Sequence, residues 1–457
     1  MEKIDNNPLA TQPVVKLFFK LSIPSVLAQI VNLLYNMVDR IFIGHIKDVG
    51  DIALTGVGVC FPLIILISAF SCLCGMGGAP KAAIKMGEGK IKEANKILGN
   101  CFVVTIIFSI LLTIVVQIFK EPILYTFGAS ENTIKYALDY INIYSLGTIF
   151  IMISLGLNAF ITTQGFSKIS MRNVVIGALI NIALDPLFIF GFNLGVKGAA
   201  IATIIAQAIS AILVISFFFG KKTILKLTFE NMKLDIKIII SVMALGLSPF
   251  IMQSTESIIS ICFNTSLYKY GGDVSVGAMT ILTSLMQFAM LPLQGFASGA
   301  QPIISYNYGA KNPDRIKQVF KVLLIICVSF STMFWLFAMI IPNVLVSIFT
   351  IEQELIIFAS KALRIYMAVI CLFGIQIACQ QTFVSLGNAP VSLFLAIFRK
   401  IIVLIPLIYI LPAIMENKCN AIFLAEPIAD FIAVSVTATM FYFIFKKSMK
   451  EIEKGGN

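Results

Sequence analysis

The chain has 457 residues, 58% of them apolar and only 12% charged, with a mean hydropathy of +0.95. A soluble domain devotes about a quarter of its residues to charge, so this composition excludes a water-soluble globule. The net charge of +11 would point to a polyanionic partner if it formed one patch, but it is scattered through short segments between apolar runs.

Residues 1–12 are polar, and the apolar run behind them is too long for the core of a cleavable signal peptide. That run is therefore expected to remain as a span. In all, twelve apolar stretches occur in order, at about 15–42, 52–77, 95–119, 133–157, 169–190, 196–219, 237–266, 275–303, 317–342, 354–384, 391–412 and 419–446. Each can cross about 30 Å of hydrocarbon as a helix. Helices satisfy their backbone groups within one segment, which lipid demands.

Lysine and arginine favour one set of connections. These hold Lys81, Lys85, Lys90, Lys92 and Lys96, then Lys168 and Arg172, then the run from Lys221 to Lys237, then Lys311, Arg315, Lys317 and Lys321. The C-terminal Lys446, Lys447, Lys450 and Lys454 join them, and the opposite connections are poor in basic residues. The positive-inside rule then places both termini in the cytoplasm. The basic balance reports topology, and no nucleic-acid partner is expected.

A shift of 222 residues brings the halves into register. Gly77 and Pro80 fall on Gly299 and Pro302, Gly87 on Gly309, Gly165 on Gly387, and Ala199 on Ala421. Near the first span the shift is closer to 224, which sets Gln29 on Gln253. Six spans return the chain to its starting side, so the repeat is parallel. The expected fold is an all-α membrane protein of twelve transmembrane helices in two pseudo-symmetric six-helix bundles. An N-lobe covers 1–220, a linker 221–236 and a C-lobe 237–457. Two such bundles can rock to open a central cavity to either side, whereas no filter-like segment suggests a channel.

Polar residues within the spans are costly in hydrocarbon and are therefore candidates for function. In the first span, Gln29, Asn32, Asn36 and Asp39 are spaced 3, 4 and 3, along one helical face, with Tyr35 one turn from Asp39. In the fifth, Asn181 and Asp185 share a face, and Pro186 frees carbonyl groups beside them. Thr203 of the sixth span and Asn158 at the end of the fourth can complete such a site. A structural seam and a cation or proton site both fit this pattern.

In the seventh span Gln253, Glu256 and Ser260 repeat the 3 and 4 spacing, but Phe263 stands at the repeat position of Asp39. Glu426 and Asp430 in the twelfth span and Arg399 and Lys400 in the eleventh suit an internal ion pair as well as a functional role. Gln287, Gln294, Gln376 and Gln380 can line a cavity or bridge helices. Met279, Met286 and Met290, with Phe288 and Phe296, form a soft surface that fits either packing or a lining for varied ligands. The nine cysteines fit buried apolar positions, and His45, the sole histidine, fits the surface.

The segments Tyr35–Gly44, Asn181–Phe188, Gly195–Thr203, Gly295–Pro302 and Tyr306–Ala310 together resemble the multidrug and toxic compound extrusion (MATE) family, through nearly the whole chain. The resemblance implies a bacterial inner-membrane antiporter that exports cationic or amphipathic small molecules in exchange for H⁺ or Na⁺. It implies no cofactor beyond the coupling ion, lipid as the other partner, and action as a monomer. The family's N-lobe coupling residues carry over to Tyr35, Asp39, Asn181, Asp185 and Thr203, with Na⁺ a candidate ligand of Asp39, Asn181, Asp185 and Thr203. Glu256 matches a glutamate of some sodium-coupled branches, but Gln376 and Gln380 stand where the family's helix 10 acid is expected. Ion binding is expected to repack the first helix near Pro24. The rival reading is a flippase for a lipid-linked saccharide, which would call for cationic cavity residues. An intramembrane enzyme lacks any supporting nucleophile and base pair.

Overall fold

The computed structural model describes residues 7–47 and 49–454; the outermost residues of the expected lobes, 1–6 and 455–457, lie outside them. Among the described residues there is no strand. The first six spans are α1 (Val14–Gly44), α2 (Gly50–Gly87), α3 (Ile91–Thr126), α4 in the pieces Ile134–Leu146, Thr148–Gly156 and Asn158–Thr163, α5 (Ser167–Pro186) and α6 (Val196–Phe219). A helical stretch of 74 residues, Ile236–Gly309, would reach about 110 Å if straight, several bilayer widths. It breaks at Gly272, where φ is 61°, into α7 (236–271) and α8 (273–309). The rest are α9 (Pro313–Ile340), α10 in the pieces Gln353–Tyr366 and Ile370–Ser385, α11 (Ala389–Ile414) and α12 (Lys418–Lys454).

These are the twelve expected spans. Two of them are not the single rods that their apolar runs suggest: α4 bends by 60° near Gly147 and α10 by 48° between its two pieces. Local chemistry sets several helix starts. Asp235, Asn312 and Asn388 each accept a first-turn amide, opening α7, α9 and α11. On α3, Ile107, Ile110, Leu111, Ile114 and Ile118 form an exposed apolar stripe at helical spacing, the face a span turns to lipid.

Helices α1–α6 form one bundle and α7–α12 the other, and they meet mainly where α2 lies along α7 and α8 and where α1 lies along α8. The approach is backbone to backbone. A methyl group on Gly87 would overlap Tyr306 and Ala310, and one on Gly309 would overlap Ile84 and Glu88. These contacts are images of each other at the shift of 222. Gly77 likewise meets Val242 and Gly246, while Gly299 meets Ser22 and Gly295 meets Val26. Ser22 and Val242 are 220 apart, one helical turn short of the 224 that aligns Gln29 with Gln253. Helix α7 therefore rides about a turn off perfect symmetry.

All these contacts lie toward the end that carries the basic connections. Other groups close the same end. The Leu9 carbonyl accepts from Asn307 Nδ2 at 3.0 Å and from Arg315 at 3.1 Å, while the Leu9 side chain is buried. The 221–236 segment is held to the first bundle, since Gln164 Oε1 accepts from the amides of Ile224 and Leu225, and Asn100 bonds the backbone of Lys233 and Asp235. At the opposite end the outer parts of α1 and α7 carry exposed Leu34, Met37 and Ile41, and Ile258 and Ile261.

Overpacking this seam should hold the bundles apart. Gly87→Val or Gly309→Val is expected to destabilise the closed arrangement by about 1–3 kcal/mol, roughly tenfold or more in its population. A cysteine placed at Ile84 should then react faster with a water-soluble maleimide, while the purified protein stays monodisperse.

Candidate functional site

Four helices of the first bundle enclose a polar cavity with an empty volume of about 440 Å³. Helix α1 contributes Asn32 and Tyr35, α4 Ser154 and Asn158, α5 Asn173 and Asn181, and α6 Thr203, Gln207 and Ser210. Gly177 and Ala178 on α5 and Ala206 on α6 leave the room, being too small to fill it. Two carboxylates stand one turn further along, Asp39 beyond Tyr35 and Asp185 beyond Asn181. Helices α1 and α5 run the same way and pack together, so both acids sit at the same end of the cavity, away from the seam. Each is buried, and the charge of Asp39 acts on Asp185.

The hydrogen bonding of this cluster is incomplete. Asn181 Nδ2 donates to Asp185 Oδ1 at 3.1 Å and to Thr203 Oγ1 at 3.4 Å. Asp39 Oδ1, Asp185 Oδ2 and Asn181 Oδ1 are buried and accept nothing from the described residues. An unpaired acceptor in the interior costs about 1–3 kcal/mol, and an unpaired charge more. The orphaned atoms are all oxygens, so the cluster lacks protons or positive charge. Its donor set fits a proton or a small hard cation. Immediately after Asp185 and Pro186 the helix widens into a π turn over Leu187–Gly191, a feature that often accompanies functional sites.

All five residues expected in the first site thus lie on or next to this cavity. Of the further candidates, Asn32 and Asn158 line it, and Asn158 Oδ1 is another buried orphan. Asn36 does not; it is exposed and donates to the Asn32 carbonyl at 2.6 Å. Gln253 is half-buried on α7, Gln287 is exposed on α8, and Met286 and Met290 pack against the second bundle's core. None of these reaches the cavity. Sequence reasoning alone misses Asn173, Ser154 and Gln207, although Ser154 donates to Gln207 Oε1 at 2.5 Å across the cavity wall. A signal for them exists: Asn173, Gly177 and Asn181 step by four on α5, and Thr203, Gln207 and Ser210 step by four and three on α6. Helix α1 passes Pro24 without a break.

The second bundle treats its charges differently. Arg399 donates from Nε to Asp430 Oδ1 at 2.7 Å and from Nη2 to Glu426 Oε1 at 2.9 Å, and its guanidinium lies 4.7 Å from the Phe373 ring centre. Of the two roles left open for these residues, the geometry is that of an internal ion pair. Lys400 donates to Glu256 and to the Met252 carbonyl. Gln376 donates to Gln380 Oε1 at 3.1 Å, and Gln380 in turn to Met252 Sδ. Both basic residues lie on π turns of α11, Phe398–Leu404, so each bundle carries its charges beside a π segment.

Two parallel six-helix bundles with a buried ionisable site in one of them define a two-lobed, polytopic membrane protein of transporter architecture. The MatE family model matches residues 24–187 and again 249–410, once in each bundle and at nearly the repeat shift read from the sequence. The chain belongs to the MatE family. It is 23% identical over 429 residues to the multidrug export protein MepA of Staphylococcus haemolyticus (strain JCSC1435), covering 93% of this chain and 94% of that one. It is 24% identical over 402 residues to MepA of Staphylococcus aureus (strain N315), covering 88% of each. Among solved structures, the MATE multidrug transporter DinF-BH in complex with a drug-like ligand shares 34% identity, with a TM-score of 0.87 over 95% of this chain and 96% of that one. A MATE protein in the bent conformation gives a TM-score of 0.91 at 21% identity, over 99% of both chains.

Removing one partner of a buried ion pair strands the others. Arg399→Met is expected to cost about 3–5 kcal/mol by leaving Glu426 and Asp430 unpaired, and Arg399→Met with Glu426→Leu and Asp430→Leu should regain most of it. Thermal unfolding of the three proteins in one detergent checks both halves of this expectation.

Proposed function

We propose that this chain is a secondary active multidrug efflux antiporter of a bacterial cell membrane, exporting cationic or amphipathic small molecules in exchange for H⁺ or Na⁺. The observation that carries this is the set of three orphaned, buried oxygens on Asp39, Asp185 and Asn181 beside a polar cavity. The multidrug export named for MepA and the drug-like ligand bound by DinF-BH support the substrate class.

In this reading the basic end is cytoplasmic, with both termini there, the monomer is the working unit, and the 221–236 segment joins the lobes. The seam then closes the cytoplasmic side, and the cavity is reached from outside. A proton or sodium ion arriving from that side supplies the positive charge that the acid cluster lacks. Once neutralised, the cluster no longer penalises tighter packing of α1 against α5, and the lobes rock about their axis. Tyr35, Asn181 and Thr203 position the ion, while Asn32, Asn158 and the neighbouring amides fit a polar substrate edge. A membrane potential of 100 mV contributes about 2.3 kcal/mol per charge moved inward, and one pH unit about 1.4 kcal/mol. Either suffices for severalfold accumulation work.

A saccharide-lipid flippase is disfavoured by the partners of the two internal cations. Arg399 is saturated by Glu426 and Asp430, and Lys400 is paired with Glu256, so neither is free for a pyrophosphate.

Proteoliposomes loaded with ethidium and given separate pH and sodium gradients test the proposal. Export driven by one of the gradients should fall at least roughly tenfold in Asp39→Asn and in Asp185→Asn, as loss of about 1.4 kcal/mol or more of coupling requires. Export at the wild-type rate in both variants would refute the assignment of the coupling site.

A further inference from the structure

The charged cluster of the second lobe has no part in the coupling chemistry above. Its five members are Glu256 on α7, Arg399 and Lys400 on α11, and Glu426 and Asp430 on α12. Four of them are sealed in, with side-chain exposures of 10% or less. Glu256 is the exception, with its side chain 60% exposed although its partner Lys400 is only 4% exposed. Lys400 is held from behind by the Met252 carbonyl at 2.7 Å and meets Glu256 through Oε1. The other carboxylate oxygen has no hydrogen bond among the described residues.

The location gives that free oxygen a use. Phe250, one and a half turns earlier on α7, touches Phe70 of α2 with ring centres 5.0 Å apart. Glu256 stands beyond this contact, where the two lobes have parted. A carboxylate open to hydrocarbon costs several kcal/mol, so its open face belongs to the water-filled cleft. The charge count points the same way, since three carboxylates face two cations and leave one negative charge uncompensated. Hard inorganic cations require several oxygen ligands at once. Glu256 offers one free oxygen with an ammonium group behind it, an arrangement suited to a single, diffuse organic charge.

We propose that Glu256 is a substrate-recognition carboxylate of the second lobe, taking the positive centre of a monovalent organic cation from the cleft, with Lys400 as the internal competitor for it. The proposal rests on the export reading and adds a binding site in the lobe that does not hold the coupling acids. Substrate and coupling ion then occupy different lobes and influence each other only through the seam.

Ethidium binding to the purified full-length protein, followed by fluorescence anisotropy, tests this through the opposite signs expected for the two partners. Glu256→Gln should weaken binding roughly tenfold or more, the loss of one charge-assisted contact. Glu256→Asp should retain most of it. Lys400→Gln should tighten binding severalfold, because it removes the competitor and adds a net negative charge. A purely structural ion pair would instead make Lys400→Gln and Glu256→Gln alike in effect. Unchanged binding in Glu256→Gln, or weakened binding in Lys400→Gln, overturns the site while leaving export intact. Displacement of ethidium by NaCl but not by KCl at equal ionic strength assigns the carboxylate to sodium and also overturns it. Absence of ethidium binding by the unsubstituted protein removes the export reading together with the site.

Discussion

The closeness of α2 to α7 and α8 is the constraint from which the rest of the molecule follows. Side chains cannot fit between backbones at this distance, so Gly77, Gly87, Gly246, Gly295, Gly299 and Gly309 are required there. In a membrane the hydrophobic effect does not drive helices together, and small residues permit the van der Waals contact that does. The seam contains few polar bonds, such as Ser22 to the Phe296 carbonyl and Thr163 to Gln301. A contact made of dispersion and a few weak hydrogen bonds can be opened and remade without stranding a charge. That property suits an interface between two rocking bodies, and it also decides which end of the molecule is shut.

Each lobe solves the problem of intramembrane charge in its own way. The second lobe neutralises Glu426 and Asp430 with Arg399 and backs Glu256 with Lys400, leaving little for a ligand to supply except at the exposed glutamate. The first lobe leaves Asp39 and Asp185 with oxygens that accept nothing from the described residues and places an amide-lined cavity against them. Unpaired acids raise the free energy of the protein alone, and that deficit is what a bound ion can relieve. The repeat thus conserves the helical frame while dividing the chemistry: Phe263, fully buried, occupies the position where the first lobe has Asp39.

Most of the frame is legible in the sequence because hydrocarbon imposes simple rules. Span length, basic connections and the glycine shift of 222 are one-dimensional signals, and the twelve helices and the paired seam contacts agree with them. The breaks in α4 and α10 are not legible, since Gly147 and Met367 look like ordinary positions in apolar runs. The core of the site is readable from i and i+4 spacing in Asn181 and Asp185 and in Tyr35 and Asp39. Its α6 wall is only partly readable, because Gln207 and Ser210 resemble a surface pattern until Thr203 is known to face inward. The pairing of Lys400 with Glu256 joins residues 144 positions apart, and nothing local in either helix announces it.

The account as a whole requires that the two ends of the molecule open in alternation around the seam. Spin labels at Lys92→Cys with Asp314→Cys at the basic end, and at Glu121→Cys with Asn343→Cys at the other, report this directly by pulsed electron–electron distance measurement. All four positions are exposed, and each pair is related by the shift of 222. In a background cleared of native cysteines, acidification or added sodium should lengthen the first distance while shortening the second. Distances that stay fixed, or that change in the same direction at both ends, would contradict alternating access in this protein.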